Sequence, residues 1–166
     1  MTFQTNVAFD TGFGAVGELA FDGPHRAMSG VLNSIDPAQN VIGRWFTRNN
    51  DGTFGAGGMG AEGGLLANPK VYASGGTAAG GTLAPTLTLR NGEAGEFVFM
   101  GEMVVSLDIA AVQGYDVHYN TATGELTAVY AGTAPASGYE AIPNAKVSRY
   151  AQSGTNGGLA VVRLTQ

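Results

Sequence analysis

The residues of this sequence that could do acid–base or metal chemistry are few, and two histidines come first among them. His118 lies in the pattern Asp116-x-His118-x-Asn120 within a β-like run. Because side chains alternate along a strand, these three polar groups share one face, where they could bind a metal weakly or orient a base. The same pattern fits a solvent-facing polar stripe. No further His, Asp or Glu cluster nearby in the sequence completes a zinc site, so we expect the stripe and no metal.

A carboxylate in apolar surroundings would be the other source of chemistry, since burial raises a carboxyl pKa toward the range of a general acid. Of thirteen Asp and Glu residues, only Glu102 has such surroundings, in the run Phe97–Val105. A charge on a strand edge also prevents pairing with foreign strands, which is its ordinary role. The sequence has no G-x-S-x-G elbow. We therefore expect neither enzyme activity nor a cofactor.

Glycine-rich segments raise the question of phosphate binding. Gly52–Gly64 holds seven glycines in thirteen residues, but it lacks the lysine and the hydroxyl that a P-loop requires. Gly12, Gly14 and Gly17 match the dinucleotide fingerprint G-x-G-x-x-G literally, yet a strand-like run and not a helix follows them. With 27 glycines in the chain, such a match is expected by chance. Both kinds of phosphate site are excluded.

The elements that would position these groups are short β-rich runs separated by turn residues, and no stretch has a convincing helical period. We predict an all-β fold, a jelly-roll-like sandwich or a distorted barrel, with an extended N-terminal segment and a glycine-rich loop. Asp108–Gln113 forms a single helical turn at most. The predicted strands are Glu18–Phe21, Val41–Thr47, Val71–Tyr72, Thr82–Arg90, Glu96–Leu107, Tyr115–Tyr119, Glu125–Tyr130, Lys146–Ala151 and Leu159–Leu164.

Composition limits the function further. Only 13% of the 166 residues are charged, against roughly 25% in an ordinary soluble domain, which favours a neutral surface that a partner covers. The net charge of −5 and the scattered basic residues argue against nucleic acid as a partner. The absence of cysteine excludes disulfides. Neither a signal sequence nor a transmembrane pattern is present, so we expect no membrane partner.

The first third of the chain resembles the phage structural cement, or capsid decoration, proteins. The motifs that carry the resemblance are Thr2–Thr5, A-V-G-E-L-A at Ala15–Ala20, the Gly-Pro turn at Gly23–Ala27, and G-R-W-F-T at Gly43–Thr47. The resemblance implies a jelly-roll-like β-fold and a non-enzymatic protein of the virion, made in the host cytoplasm. It implies binding to the outer surface of the capsid, where the protein cements neighbouring major capsid protein subunits. We also expect a homodimer or homotrimer, because symmetric association would cover part of the neutral surface.

Two segments are the candidate contacts. Residues 1–16 form either an N-terminal edge strand or an arm across a neighbouring subunit, and residues 17–166 form a single β-domain. Gly52–Gly64 is either a mobile surface loop or a loop that orders on a partner. Trp45 we expect in the core. The candidate capsid or subunit contacts are Phe3, Val7, Phe9, Phe13, Phe54 and Met59.

Two other classes of function remain open. Tyr115, Tyr119 and Tyr130 on one hairpin could form an aromatic platform, as in a carbohydrate- or receptor-binding β-domain of a phage tail or adhesin. A β-sandwich hydrolase would rest on Glu102 and His118 alone.

Overall fold

The structure is a computed structural model that describes residues 14–20, 23–60, 62–68, 88–149 and 157–165. The described residues form nine strands and one short 3-10 helix, Pro37–Gln39, with no α-helix, which confirms the all-β prediction. The strands are β1 Arg26–Val31, β2 Trp45–Arg48, β3 Phe54–Ala56, β4 Gly63–Leu66, β5 Ala94–Leu107, β6 Asp116–Asn120, β7 Leu126–Val129, β8 Tyr139–Arg149 and β9 Gly158–Leu164.

Five of these strands close into a barrel in the order β5-β7-β6-β8-β9, because β9 pairs back onto β5. The closing ladder is antiparallel and joins Gly101–Leu107 to Gly158–Leu164. β5 and β7 meet in parallel at Leu107 and Leu126. Closure removes free strand edges from this part of the sheet. The barrel encloses alternate residues of its strands, among them Met103, Val105 and Val162.

The N-terminal half of β5 belongs to a second, curled sheet in the order β3-β2-β4-β5-β1. A bridge between Leu32 and Phe54 brings the two ends of this sheet together. The Asn33 amide donates to the Phe54 carbonyl at 2.7 Å across the same gap. The protein is therefore a closed barrel with a smaller curled sheet beside it.

Adjacent apolar residues explain how the curled sheet packs on both faces. Trp45, Leu65 and Val98 face the barrel core, whereas their neighbours Phe46, Leu66 and Phe97 form a second core with Phe54. Successive side chains point to opposite faces of a strand, so a doublet of large apolar residues indicates a sheet buried on both faces. In the second core, Phe97 stacks on Phe54 with ring centroids 4.0 Å apart.

Gly101 marks the point where β5 passes from the curled sheet to the barrel. Its φ is +129°, and a Cβ there would lie 2.9 Å from the Cβ of His25. A side chain at this position would be strained and crowded, so glycine is required for the bend.

Several predicted elements differ from the observed ones. The sequence pattern does not predict β1, because Gly30 and Ser29 interrupt its apolar residues, and β8 begins at Tyr139, before the predicted Lys146. Asp108–Gln113 contains bends and a turn and no helix. Gly52–Gly64 is not a free loop, since it includes β3 and the start of β4. Val71–Tyr72 and most of Thr82–Arg90 lie outside the described residues.

Within the described ranges, the structure contains no helix with the length and apolarity needed to cross a membrane.

Candidate functional site

The polar groups around His118 serve structural roles. The Asp116 carboxylate accepts hydrogen bonds from Lys146 Nζ and, at 2.7 Å, from the Gly132 amide. The hydrogen bond from Lys146 is the largest cause of a lowered Asp116 pKa, and that from Gly132 is the next. Asn120 Oδ1 accepts the amides of Ala122 and Thr123 and so shapes the following turn. The described residues contain no group of His, Asp and Glu that could hold a metal.

His118 itself is buried, at 2% exposure, so the predicted solvent-facing stripe is wrong. Val117 and Tyr119 are buried as well, which means that both faces of β6 are covered. Desolvation lowers the pKa of His118 below its ordinary value, while the nearby Asp116 charge acts in the opposite direction. His118 is thus a neutral core histidine and not an exposed ligand.

Glu102 lies at the bend of β5 and is half-buried. Its carboxylate accepts a hydrogen bond from Ser148 Oγ at 3.3 Å, and Arg163 is opposite it in the β5–β9 ladder. It lines a shallow cleft of 330 Å³ together with His25, and His118 does not line this cleft. A hydrolase of the kind considered above would need Glu102 and His118 in one cleft, and only Glu102 lines this one.

The predicted contact residues separate into three groups. Met59 is 78% exposed and can contact a partner as it stands. Phe54 is 2% exposed and packs in the second core, because β3 pairs with β2 and turns its ring inward, so it presents no surface. Phe3, Val7, Phe9 and Phe13 lie outside the described residues. Trp45 is in the core at 7% exposure, as predicted.

The three tyrosines do not form one exposed platform. Tyr119 is 2% exposed and points toward the barrel core, whereas Tyr130 is 73% exposed. Tyr115 meets Tyr130 edge to face, with ring centroids 5.7 Å apart. Exposed apolar side chains elsewhere include Ile35 and Val112. The aromatic surface that carbohydrate binding would use is therefore reduced to Tyr130 and the edge of Tyr115.

A cleft of 860 Å³ opens where the curled sheet meets the barrel. The sheet supplies Trp45 and Phe99, and the barrel supplies Tyr119. Trp45 and Tyr119 pack with ring centroids 5.6 Å apart. Gly63 leaves room for this arrangement, since a Cβ there would lie 2.7 Å from Trp45 Cζ2. The floor of the cleft is thus aromatic and fixed by packing.

Polar groups surround that floor. The Tyr119 hydroxyl donates to the Gly58 carbonyl at 3.1 Å. Burial raises the pKa of Tyr119 above its ordinary value, and the Glu140 carboxylate raises it further, which places that charge near the hydroxyl. Trp45 Nε1 and Thr47 Oγ1 lie close by, yet neither makes a normal hydrogen bond with any described residue. Both side chains lie close enough to the Tyr119 hydroxyl to act as weak hydrogen-bond partners, which lowers the pKa of Tyr119 and offsets part of the effect of burial.

One wall of the cleft is an irregular part of β8. In the ladder between β6 and β8, Asp116 pairs with Lys146 and His118 pairs with Ala141. The segment of β8 between Ala141 and Lys146 is longer than the segment of β6 opposite it, so β8 bulges there. Pro143 and Asn144 lie on this bulge, line the cleft and are exposed. Asn144 has a φ of +54°, the only positive φ among the described residues other than glycine. Bulges of this kind re-aim side chains at functional sites.

No local pattern in the sequence predicts the position of this cleft. Its residues come from β2, β4, β5, β6 and β8, which are distant along the chain. The one local signal is Pro143-Asn144 within an otherwise strand-like run, which indicates a bulge. Nothing in the pattern says that the bulge lies beside Trp45.

Comparisons with known proteins add a family and a fold. A family model described as "Structural cement protein (E217 gp24/Pam3 gp6)" matches residues 3–165. No curated protein matches this sequence.

Among solved structures, a chain from the capsid of Myoviridae phage XM1 is similar, with a TM-score of 0.59 and 18% identity. The match covers 100% of this chain and 99% of that one. At that identity the likeness concerns the fold, and it extends over both chains from end to end.

Proposed function

Because the chain belongs to the phage structural cement protein family, we propose that it binds the outer surface of a phage capsid and cements neighbouring major capsid subunits. The observation that carries the proposal is the family match, which spans residues 3–165 and not only the N-terminal third. Membership of the family supports a structural role in the capsid. Beyond that role, we propose that the protein binds the outer surface of the shell and bridges its subunits.

The surface of the domain supports this proposal. Few charges and several exposed apolar side chains, such as Ile35 and Met59, leave a surface that gains free energy when a partner covers it. Each contact contributes little, but symmetric copies on a shell multiply weak contacts through avidity. We propose Met59 and the segment of residues 1–16, with Phe3, Val7, Phe9 and Phe13, as contacts with the capsid or a neighbouring copy.

The proposed mechanism is mechanical and not catalytic. The chemically suggestive residues of the described chain have structural roles, as for Asp116, or are buried, as for His118. We propose that the virion is where the protein acts and that it is a homodimer or homotrimer, since self-association covers part of a neutral surface. Sedimentation velocity of the free protein measures that mass.

Cosedimentation with capsid shells assembled without this protein tests the function. We expect saturable enrichment on shells, and we expect decorated shells to dissociate at a higher temperature than bare ones. An unrelated acidic protein of similar mass is the control. A chain that lacks residues 1–14 should stay folded and bind shells more weakly. If the full chain shows no enrichment over the control, the cement function is wrong.

A further inference from the structure

The cleft between the curled sheet and the barrel has the chemistry of a site for a positively charged side chain. Two carboxylates, Glu62 and Glu140, line it, and Arg48 is the only basic residue of the described chain that does. Arg48 Nη1 and Glu62 are paired at 3.2 Å, and both are largely exposed. Glu140 makes no ion pair or side-chain hydrogen bond with a described residue and is only half-buried. The net charge of the cleft is therefore negative, and Glu140 carries its unpaired part.

The apolar part of the cleft fits the stem of such a side chain. Phe99 is partly exposed, and Pro143 in the lining of the same cleft is exposed. Lys and Arg bury their methylene stems against apolar surface while the charged head reaches a polar partner. A stem on Phe99 with its head at Glu140 would satisfy both parts of the cleft. Arg also stacks on aromatic rings.

Other ligand classes fit less well. An anion or a nucleic acid backbone would be repelled by Glu62 and Glu140. A sugar ring needs the open face of an aromatic side chain, but Trp45 is 7% exposed and Tyr119 is 2% exposed. Phe99 is therefore the one partly exposed aromatic side chain among the described residues that line the cleft. The opening and the charge together favour a protein loop.

We propose that this cleft receives a basic side chain, Arg or Lys, carried on a loop of the major capsid subunit. The inference rests on the proposed cement function and names the part of the surface that does the binding. The β8 bulge at Pro143 and Asn144 then acts as one wall of the socket, and its departure from regular pairing gains a reason.

Charge reversal at the socket tests the inference. Glu140→Lys should lower the affinity for shells by about tenfold or more, because like charges then face each other. Glu140→Gln, which keeps the shape, should lower it by about threefold and make binding less sensitive to salt. Glu96→Lys is the matched control. Glu96 is exposed on β5 and outside the cleft, and its replacement changes the net charge equally, so affinity should stay within about twofold.

The outcomes separate the inference from the function on which it rests. If wild-type protein binds shells and Glu140→Lys binds as Glu96→Lys does, the socket is wrong and the cement function stands. If Glu140→Lys changes the sedimentation mass of the free protein, a second copy fills the cleft, and the proposed occupant is again wrong. Binding by no variant, wild type included, overturns the cement function itself. Circular dichroism of each variant verifies that it is folded.

Discussion

At the scale of single residues, His118 illustrates how the same side chain can suggest chemistry and serve packing. The D-x-H-x-N pattern does put three polar groups on one face of β6, as strand geometry requires. Alternation cannot say whether that face meets solvent or other atoms. The structure buries His118. Of the other two residues in the pattern, Asn120 accepts a hydrogen bond from the Ala122 amide of the following turn, and Asp116 accepts one from Lys146 Nζ. The result is a fixed hairpin and not a site.

The buried state of His118 predicts a pH dependence of stability. Its pKa is lowered in the folded protein, so the unfolded chain takes up the proton first as pH falls. This contribution to stability is complete above the unfolded pKa of about 6.5 and is lost as pH decreases through it. We expect the free energy of unfolding to decrease between about pH 7.5 and about pH 5.5, a window above the titration of Asp116.

The comparison that isolates this residue is His118→Gln, measured by urea unfolding at both pH values. The variant is expected to be less stable than the wild type at the higher pH. Its free energy of unfolding should decrease less than that of the wild type when the pH is lowered. Equal losses in the two proteins would mean that His118 does not titrate in this window.

At the scale of elements, turns hold the barrel against the curled sheet. Gly124 ends the β6–β7 turn with a φ of +71°, and its carbonyl accepts the Trp45 amide at 2.9 Å. A Cβ at this position would lie 2.3 Å from the Trp45 carbonyl oxygen. Both the backbone conformation and the close approach to β2 therefore require glycine.

Two glycine-to-alanine substitutions separate the cost of the backbone conformation from the cost of the close contact with β2. Gly132 has a φ of +82°, but a Cβ added there would have no atom within 4 Å, so Gly132→Ala should cost only the backbone strain, about 1 kcal/mol. Gly124→Ala adds a clash with β2 and should cost about 3 kcal/mol of unfolding free energy. Urea denaturation measures both. A Gly124→Ala cost equal to that of Gly132→Ala would contradict the close contact with Trp45.

The strands also show which local signals are sufficient. The sequence predicts β5, β7 and β9 nearly to their ends, because long apolar or alternating runs bounded by turn residues are unambiguous. It does not predict β1, since Gly30 breaks the pattern, and the structure gives the reason for that glycine. A Cβ at Gly30 would lie 2.4 Å from the Phe54 ring, so the position must be bare for the second core to pack.

At the scale of the whole molecule, β5 contributes residues to both cores. Its first half packs Phe97 into the second core, and its second half pairs with β9 around the barrel core. Trp45, the only tryptophan, lies where the two sheets meet. Loss of packing in either core therefore destabilises a strand that both sheets need.

We accordingly expect a single unfolding transition. A substitution in either core should shift the midpoint of that whole transition. Phe97→Ala should cost about 4 kcal/mol and Val162→Ala about 2 kcal/mol, and Trp45 fluorescence and far-ultraviolet circular dichroism should give coincident curves for each. Wild-type protein is the reference. Phe97→Ala could instead show two unfolding transitions, one at lower denaturant concentration and one at the wild-type midpoint. That result would mean that the barrel folds independently of the curled sheet.

The sequence by itself determined the all-β class, the absence of an obvious catalytic set, and, through its N-terminal motifs, the family to which the chain belongs. These depend on composition and on short local patterns, which need no knowledge of distant contacts. The tertiary structure decided which faces are covered. It buried Phe54 and His118, left Tyr119 buried and Tyr130 exposed, and brought Glu140 and Trp45 into the lining of one cleft. The physical reason is that periodicity reports the polarity of a face, whereas strand pairing between distant segments decides what covers it.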